Sequence, residues 1–265
     1  MTHRYDASPR AFKPESTVNR IVSLVGDNRR VIDIGSGPGV VASRLALRGC
    51  EITVVDSDRE ALRLASGHAS RAYCLDLNDP NWHQQLEVGP RYDVVILADV
   101  LEHLFDPDAV LKNAVQLLAE GGYVVLSMPN ISHNGVVASL LMGNFDYTET
   151  GLLDRTHIRF FGAHSIEPML NRASLALEHV EFVTAHPRDT EFAGVWEALP
   201  LRTKLTLRSS HYGNVYQFVL RARPLSKTTE PIALNSVPVP RVSDPLWVDV
   251  RRSLARFARR NHMMT

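Results

Sequence analysis

The chain has 265 residues, 45% of them hydrophobic and 22% charged, which suits one α/β domain with additions and supports a core of useful size. Lys plus Arg and Asp plus Glu balance at 29 each, so there is no overall positive charge of the kind nucleic-acid phosphates select. The two cysteines, Cys50 and Cys74, have neither Cys-x-x-Cys nor zinc-finger spacing and read as buried free thiols of a reducing cytoplasm. No signal-peptide pattern opens the sequence and no apolar run has the length of a membrane span, so a cytoplasmic location is expected.

Residues 1–15 are polar and read as a flexible N-terminus. Ser16 is placed to cap a helix whose apolar positions include Val18, Ile21, Leu24 and Val25, and Gly26 ends it. Apolar runs of strand length follow at Val31–Ile34, Ile52–Val55, Ala72–Leu75, Val94–Leu97 and Tyr123–Leu126. Between them, 40–47, 59–65 and 109–118 have helical spacing. Strands apolar on both faces and separated by helices predict a doubly wound, mostly parallel sheet. Residues 130–162 are rich in Asn, Gly, Thr and His, have poor periodicity, and read as an inserted lid over a substrate. A helix fits 164–173, and strands fit Leu177–Val183 and Val215–Leu220. Five prolines mark 223–246 as a linker. In the tail, 247–265, Val250, Leu254 and Phe257 share a helical face among five arginines. That tail could be solvated, dock a partner, or make peripheral contact with a membrane.

The most informative segment is Val31-Ile-Asp33-Ile-Gly35-Ser36-Gly37-Pro-Gly39, which joins the first strand to a helix. Glycines there allow a sharp turn and close approach of a ligand to the backbone. A dinucleotide fingerprint requires Gly-x-Gly-x-x-Gly, but here Val40 holds the third glycine position and Gly39 comes one residue early. An acid, Asp33, stands two residues before the first glycine. The segment resembles the Asp-x-Gly-x-Gly-x-Gly signature of class I methyltransferases, which implies a Rossmann-like, seven-stranded fold and S-adenosylmethionine as cofactor. A carboxylate near the loop suits the positive charge of that cofactor. Asp56, at the end of Ile52-Thr-Val-Val-Asp56, is placed to accept hydrogen bonds from ribose hydroxyls or to cap the next helix, a role for which Asp58 competes. The resemblance further implies Asp76 at the adenine amino group, the Leu77 backbone near the ring, and Ala98 and Asp99 at the exit of the fourth strand.

The run Tyr92-Asp-Val-Val-Ile-Leu-Ala98-Asp99-Val-Leu-Glu102-His103-Leu-Phe-Asp-Pro107 is similar to small-molecule O-methyltransferases of the ubiquinone-biosynthesis type. Gly151-Leu-Leu-Asp154-Arg155-Thr-His157-Ile-Arg159-Phe-Phe161 resembles a stretch of bacterial methyltransferases from surface polysaccharide and glycolipid gene clusters. The similarity spans about residues 16–222, the expected methyltransferase domain. It implies O-methylation of a hydroxyl on a small molecule, glycan or glycolipid, with a phenolic or quinone precursor as the alternative acceptor. Two further alternatives are a non-catalytic binding protein on the same fold and a nicotinamide oxidoreductase. The Asn/Asp-Pro-Pro-Tyr and Pro-Cys motifs of nucleic-acid enzymes are missing.

An oxygen acceptor must lose a proton, and His157 and His103 are the candidate bases. His157 has a structural alternative, bonded to Asp154 or the backbone. If Asp99–His103 opens a helix, Asp99, Glu102 and His103 fall within about 100° of one face. In the ubiquinone group the matching Glu-x-x-Glu-His positions are associated with a divalent cation. Here the first acid is Asp99, one methylene shorter, and a helix cap at Asp99 with a cofactor-shaping role for Glu102 and His103 is the reading preferred to a metal.

Overall fold

The computed structural model describes residues 16–86, 89–226 and 230–242. Seven strands form one open sheet: β1 (Arg30–Ile34), β2 (Glu51–Asp56), β3 (Arg71–Cys74), β4 (Tyr92–Ala98), β5 (Leu118–Pro129), β6 (Leu175–Thr184) and β7 (Val215–Pro224), in the order β3-β2-β1-β4-β5-β7-β6. The first five are parallel, and β7 runs antiparallel to both β5 and β6. Helices α1 (Thr17–Val25), α2 (Val40–Ala46), α3 (Arg59–Ala65), α4 (Pro107–Val115), α5 (Asn134–Leu141), α6 (Ala163–Arg172), α7 (Ala193–Ala198) and α8 (Leu201–Leu207), together with several short 3-10 turns, complete the described elements.

Strand β4 shows why the sheet needs cover on both sides. Val94 and Ile96 join α1, α2 and α3 in one apolar layer, whereas Val95 and Leu97 face the layer built with α4 and α6. All four are fully buried. Removing such a side chain from water is worth about 1.5–3 kcal/mol, so a polar residue at any of these positions would be costly. Ser16 caps α1 by accepting from Asn19 N, and Gly26 ends it with φ +84°.

Several elements differ from the sequence pattern. Asp106 accepts from Ala109 N and Pro107 occupies the first turn, so α4 starts earlier than 109. Leu118 belongs to β5, where it pairs with Tyr92. Cys74 is exposed, against the expectation of a buried thiol, because β3 is the sheet's edge strand; Cys50 is half-buried. The 130–162 segment carries α5, whose first residues pack under Phe192 and Tyr216. Of the proline-containing stretch 223–246, residues 230–242 lie against the domain: Ile232 N bonds Leu177 O at 2.9 Å, and Leu234 is buried. The N-terminal 1–15 and the basic tail 247–265 lie outside the described residues. No helix among the described residues is long and apolar enough to cross a membrane.

The order reverses at β1, whose neighbours are β2 on one side and β4 on the other. Loops leaving β1 and β4 therefore diverge, and the crevice between them at the carboxyl ends is where open α/β sheets bind ligands. Gly35 follows β1 and Asp99 follows β4.

Candidate active site

The loop after β1 is held by its backbone. Gly35 N and Ser36 N both bond Val55 O, at 2.7 and 3.1 Å, and Gly37 N bonds Asp56 Oδ2 at 2.7 Å. Gly35 and Gly39 have φ of +72° and +83°. A Cβ at Gly35 would stand 2.5 Å from a Val100 methyl, and one at Gly39 would stand 2.7 Å from Ala65 Cα. Both glycines are thus required twice, by conformation and by space.

Asp33 ends up only 1% exposed, with neither carboxylate oxygen bonded to a partner among the described residues. Burial, reinforced by the nearby Asp56, pushes its carboxyl up to about 7. Asp56 is half-buried and accepts Gly37 N on one oxygen and Asp58 N on the other, which leaves lone pairs on both for further donors. The helix cap is Asp58, which accepts from Glu60 N and Ala61 N. At the end of β3, Asp76 is exposed and accepts from Asn78, while the Leu77 side chain points into the core.

A cavity of about 200 Å³ opens beside Asp99 and is lined by three stretches, 99–103, 150–157 and the start of β7, together with Pro129 at the end of β5. It brings together Asp99, Glu102, His103 and His157. Asp99 adopts φ +53°, a left-handed conformation that Asp tolerates better than most residues. Its carboxylate accepts from Ser127 Oγ at 2.8 Å and from Gln217 Nε2 at 3.1 Å. Burial raises its proton affinity and these bonds oppose the rise. Asp99 therefore neither caps nor opens a helix. Only Leu101–His103 form a 3-10 turn, so the expected helical arc of Asp99, Glu102 and His103 does not exist.

Glu102 is 1% exposed, and both of its carboxylate oxygens lack partners among the described residues. Burial, then the charge of Asp99, pushes it well above the usual carboxylate range. Its carbonyl accepts Ile158 N and Arg159 N, at 2.8 and 3.0 Å, which ties the 150–159 stretch to the turn. His103 Nδ1 donates to Thr156 O at 3.1 Å, and His157 Nδ1 donates to Leu152 O at 3.3 Å. The rings meet edge to face with centroids 4.8 Å apart. Burial, and next the proximity of His157, holds His103 below the ordinary histidine range. Asp154 accepts from Thr156 N and Oγ1, which shapes the turn that carries His157.

A family model described as a methyltransferase domain matches residues 6–180. The chain belongs to that family. It is an S-adenosylmethionine-dependent methyltransferase of the class I fold, which removes the nicotinamide alternative. The chain is 26% identical over 203 residues to a ubiquinone biosynthesis O-methyltransferase of Chromobacterium violaceum, an alignment covering 71% of this chain and 84% of the relative. Among solved structures it is similar to a SAM-dependent methyltransferase of Archaeoglobus fulgidus, with TM-score 0.56, 16% identity, and 78% and 91% of the two chains covered. It is also similar to magnesium protoporphyrin IX methyltransferase of Synechocystis with bound SAH, with TM-score 0.54, 18% identity, and 80% and 83% covered.

Two residues of this methyltransferase's cavity, Tyr216 and Gln217, escaped the sequence reading. The signal was there: Tyr216 and Gln217 interrupt the apolar run Val215–Leu220 of β7. Tyr216 donates to Glu191, which also accepts Leu152 N at 2.9 Å. Gln217 joins α1 to the cavity, since it accepts from Thr17 while donating to Asp99.

Proposed function

We propose that this methyltransferase acts on a hydroxyl of a polyhydroxylated small molecule, such as a glycan or the head group of a glycolipid. The make-up of the cavity carries this reading. Asp99, Glu102, Asp154, the two imidazoles, two threonines, Tyr216 and Gln217 dominate its lining, with Pro129 and Leu152 as apolar minorities. Such a wall offers many acceptors and few flat apolar faces. A phenol or quinone ring would prefer large apolar aromatic surfaces, and among the described lining residues Tyr216 alone carries a benzene ring. Among the described residues no Lys or Arg lines the cavity, so an acceptor carrying phosphate or carboxylate near the reacting hydroxyl would find no cationic partner there. The similarity to ubiquinone biosynthesis O-methyltransferases favours a second reading, a phenolic acceptor.

The residues fit the cofactor. Asp33 is a buried carboxylate without a partner among the described residues, and a cationic ligand end beyond the Gly35–Gly39 loop would satisfy it. Ser36 and Gly37 belong to that loop, Asp56 keeps lone pairs that would accept ribose hydroxyls, and Asp76 with the Leu77 backbone would meet the adenine edge. Ala98 and Asp99 form the wall between cofactor and acceptor. When bound, S-adenosylmethionine supplies an electrophilic methyl group. Holding two reactants in near-attack geometry is worth about 7–11 kcal/mol in favourable cases. His103 and His157 both direct Nδ1–H to a carbonyl, so Nε2 is the basic nitrogen of each neutral ring. Either can take the hydroxyl proton, and a positioned base contributes about 10²–10⁴-fold.

Calorimetry with S-adenosylmethionine, S-adenosylhomocysteine and NAD tests the cofactor reading, and binding of NAD alone overturns it. A screen with methyl-labelled cofactor then compares saccharides with catechols. Label on a saccharide oxygen supports the first reading, and label on catechols alone selects the second.

A further inference from the structure

Among the described residues twelve large apolar side chains are exposed, and eight of them fall in three short stretches, 105, 140–147 and 158–160. The other four, Leu47, Leu64, Leu205 and Leu225, are scattered singly, as is normal for a protein surface. Contacts join the three stretches. The Phe145 ring meets those of Tyr147 and Phe160 edge to face, with centroids 5.5 and 5.9 Å apart, and Arg159 Nη2 donates to Phe105 O at 2.6 Å. Leu141 and Met142 enter from the end of α5, where Asn144 N bonds back to Ser139 O at 2.9 Å. The rings of Phe105, Phe145, Tyr147 and Phe160 are 69, 39, 51 and 37% exposed. At about 200 Å² per ring that is on the order of 400 Å². Four aliphatic neighbours of similar exposure bring the patch near the roughly 800 Å² per partner of a standard protein interface.

We propose that this face is where a second copy of the chain docks, the two copies related by a twofold axis. The charges select the partner. The exposed charged residues of 140–160 are Asp146, Glu149, Arg155 and Arg159, two of each sign. An anionic membrane surface selects an excess of Lys and Arg, which this rim lacks. A twofold axis sets the same patch against itself, so apolar centre meets apolar centre, and acids of one copy can face arginines of the other. Composition agrees, since interfaces are enriched in aromatic residues, Met and Arg and depleted in Lys. The docked copy would press on both flanks of 148–157, most of which lines the acceptor cavity. Within one chain that loop is closed by its own backbone, with Thr148 N bonded to Leu153 O and Arg155 N to Thr148 O. Association therefore steadies the wall that carries His157.

The test uses the full chain without ligands. Sedimentation velocity from nanomolar to high micromolar concentration is expected to show a reversible equilibrium between monomer and dimer. Leu141→Glu and Phe105→Glu change side chains that are more than half exposed, so each variant should keep the parent's circular dichroism while weakening dimerisation at least tenfold. Leu47→Glu, 89% exposed and outside the patch, should leave dimerisation within about twofold. Hydrogen exchange should slow across 140–160 at high concentration in the parent and not in Leu141→Glu. A chain that stays monomeric throughout, or a dimer that survives both patch substitutions, overturns the proposal. Exchange in 140–160 that is slow at every concentration means that the chain covers its own patch, and overturns it too. Monomeric parent that floats with phosphatidylglycerol vesicles, where Leu141→Glu does not, assigns the face to a lipid surface instead.

Discussion

Replacing Asp33 by Asn tests the cofactor end of the site through stability as well as affinity. The carboxyl group is 1% exposed, has no partner on either oxygen among the described residues, and is pushed from 3.8 to about 7, first by burial and then by Asp56. Below about pH 4 the group is protonated in the folded and the unfolded chain and contributes nothing to pH dependence. As pH rises from about 4 to 7 the unfolded chain releases its proton first, so the folded state loses stability with increasing pH, and above 7 the full penalty is in place. At about 1.4 kcal/mol per pKa unit, that penalty is on the order of 4 kcal/mol. Asn has no charge to bury, though it still buries an amide. That amide cost is independent of pH, so comparing two pH values cancels it. The stability of Asp33→Asn relative to the parent should be about 3 kcal/mol more favourable at pH 8 than at pH 5. For a chain of this size that corresponds to roughly 6–12 °C in the difference of midpoints. Thermal or urea unfolding without cofactor measures it, and calorimetry on the same samples should show S-adenosylhomocysteine bound more weakly by about 1.5–3 kcal/mol, the scale of a hydrogen bond to a charged group. A relative stability that does not change between the two pH values would refute the claim that Asp33 buries an uncompensated charge. Unaltered affinity would separate Asp33 from the cofactor.

Asp56→Ala should weaken cofactor affinity by about 1.5–3 kcal/mol, read by calorimetry; part of that loss comes from Gly37 N, which loses its acceptor. Gly39→Ala places a methyl group 2.7 Å from Ala65 Cα at a φ of +83°, so it should lower the unfolding midpoint and abolish measurable cofactor binding even in a chain that remains folded. His157→Ala should lower turnover by about 10²–10⁴-fold with cofactor affinity nearly unchanged, since its ring lines the acceptor cavity and lies apart from the glycine loop; full activity in a radiolabel assay would end its role as a base.

The geometry of the proposed cofactor loop was legible because its causes are local. Gly35, Gly37 and Gly39 fall within one strand-to-helix connection, and the reasons for them, positive φ and, at Gly35 and Gly39, lack of space for a Cβ, attach to residue type. Even there, periodicity alone could not show that Asp58 takes the helix cap and leaves Asp56 to brace the loop. Helix α5 was hidden because its first turn is buried on several sides, so no single apolar stripe marks it. The edge position of β3, which exposes Cys74, follows from strand order, and strand order is not written in any one segment.

The acceptor half follows a different logic. Its cavity draws on residues 99–103, 129, 150–157 and 216–217, and each stretch acquires meaning only from the others. Asp99 illustrates the consequence. In sequence it looks like the first acid of an acid-x-x-Glu-His motif, and a helix would bring it beside Glu102 and His103. Gln217, 118 residues away, and Ser127 instead hold its carboxylate, and a left-handed backbone turns it off the helical path. His157 occupies the space beside His103 that the motif reading assigned to Asp99. The loop depends on residue types in one short run, whereas the wall depends on which distant side chains engage which carboxylate. For this enzyme the chemistry offered to the acceptor must be argued from Gln217, His157 and Glu102 together, because the motif by itself points to a different set of groups.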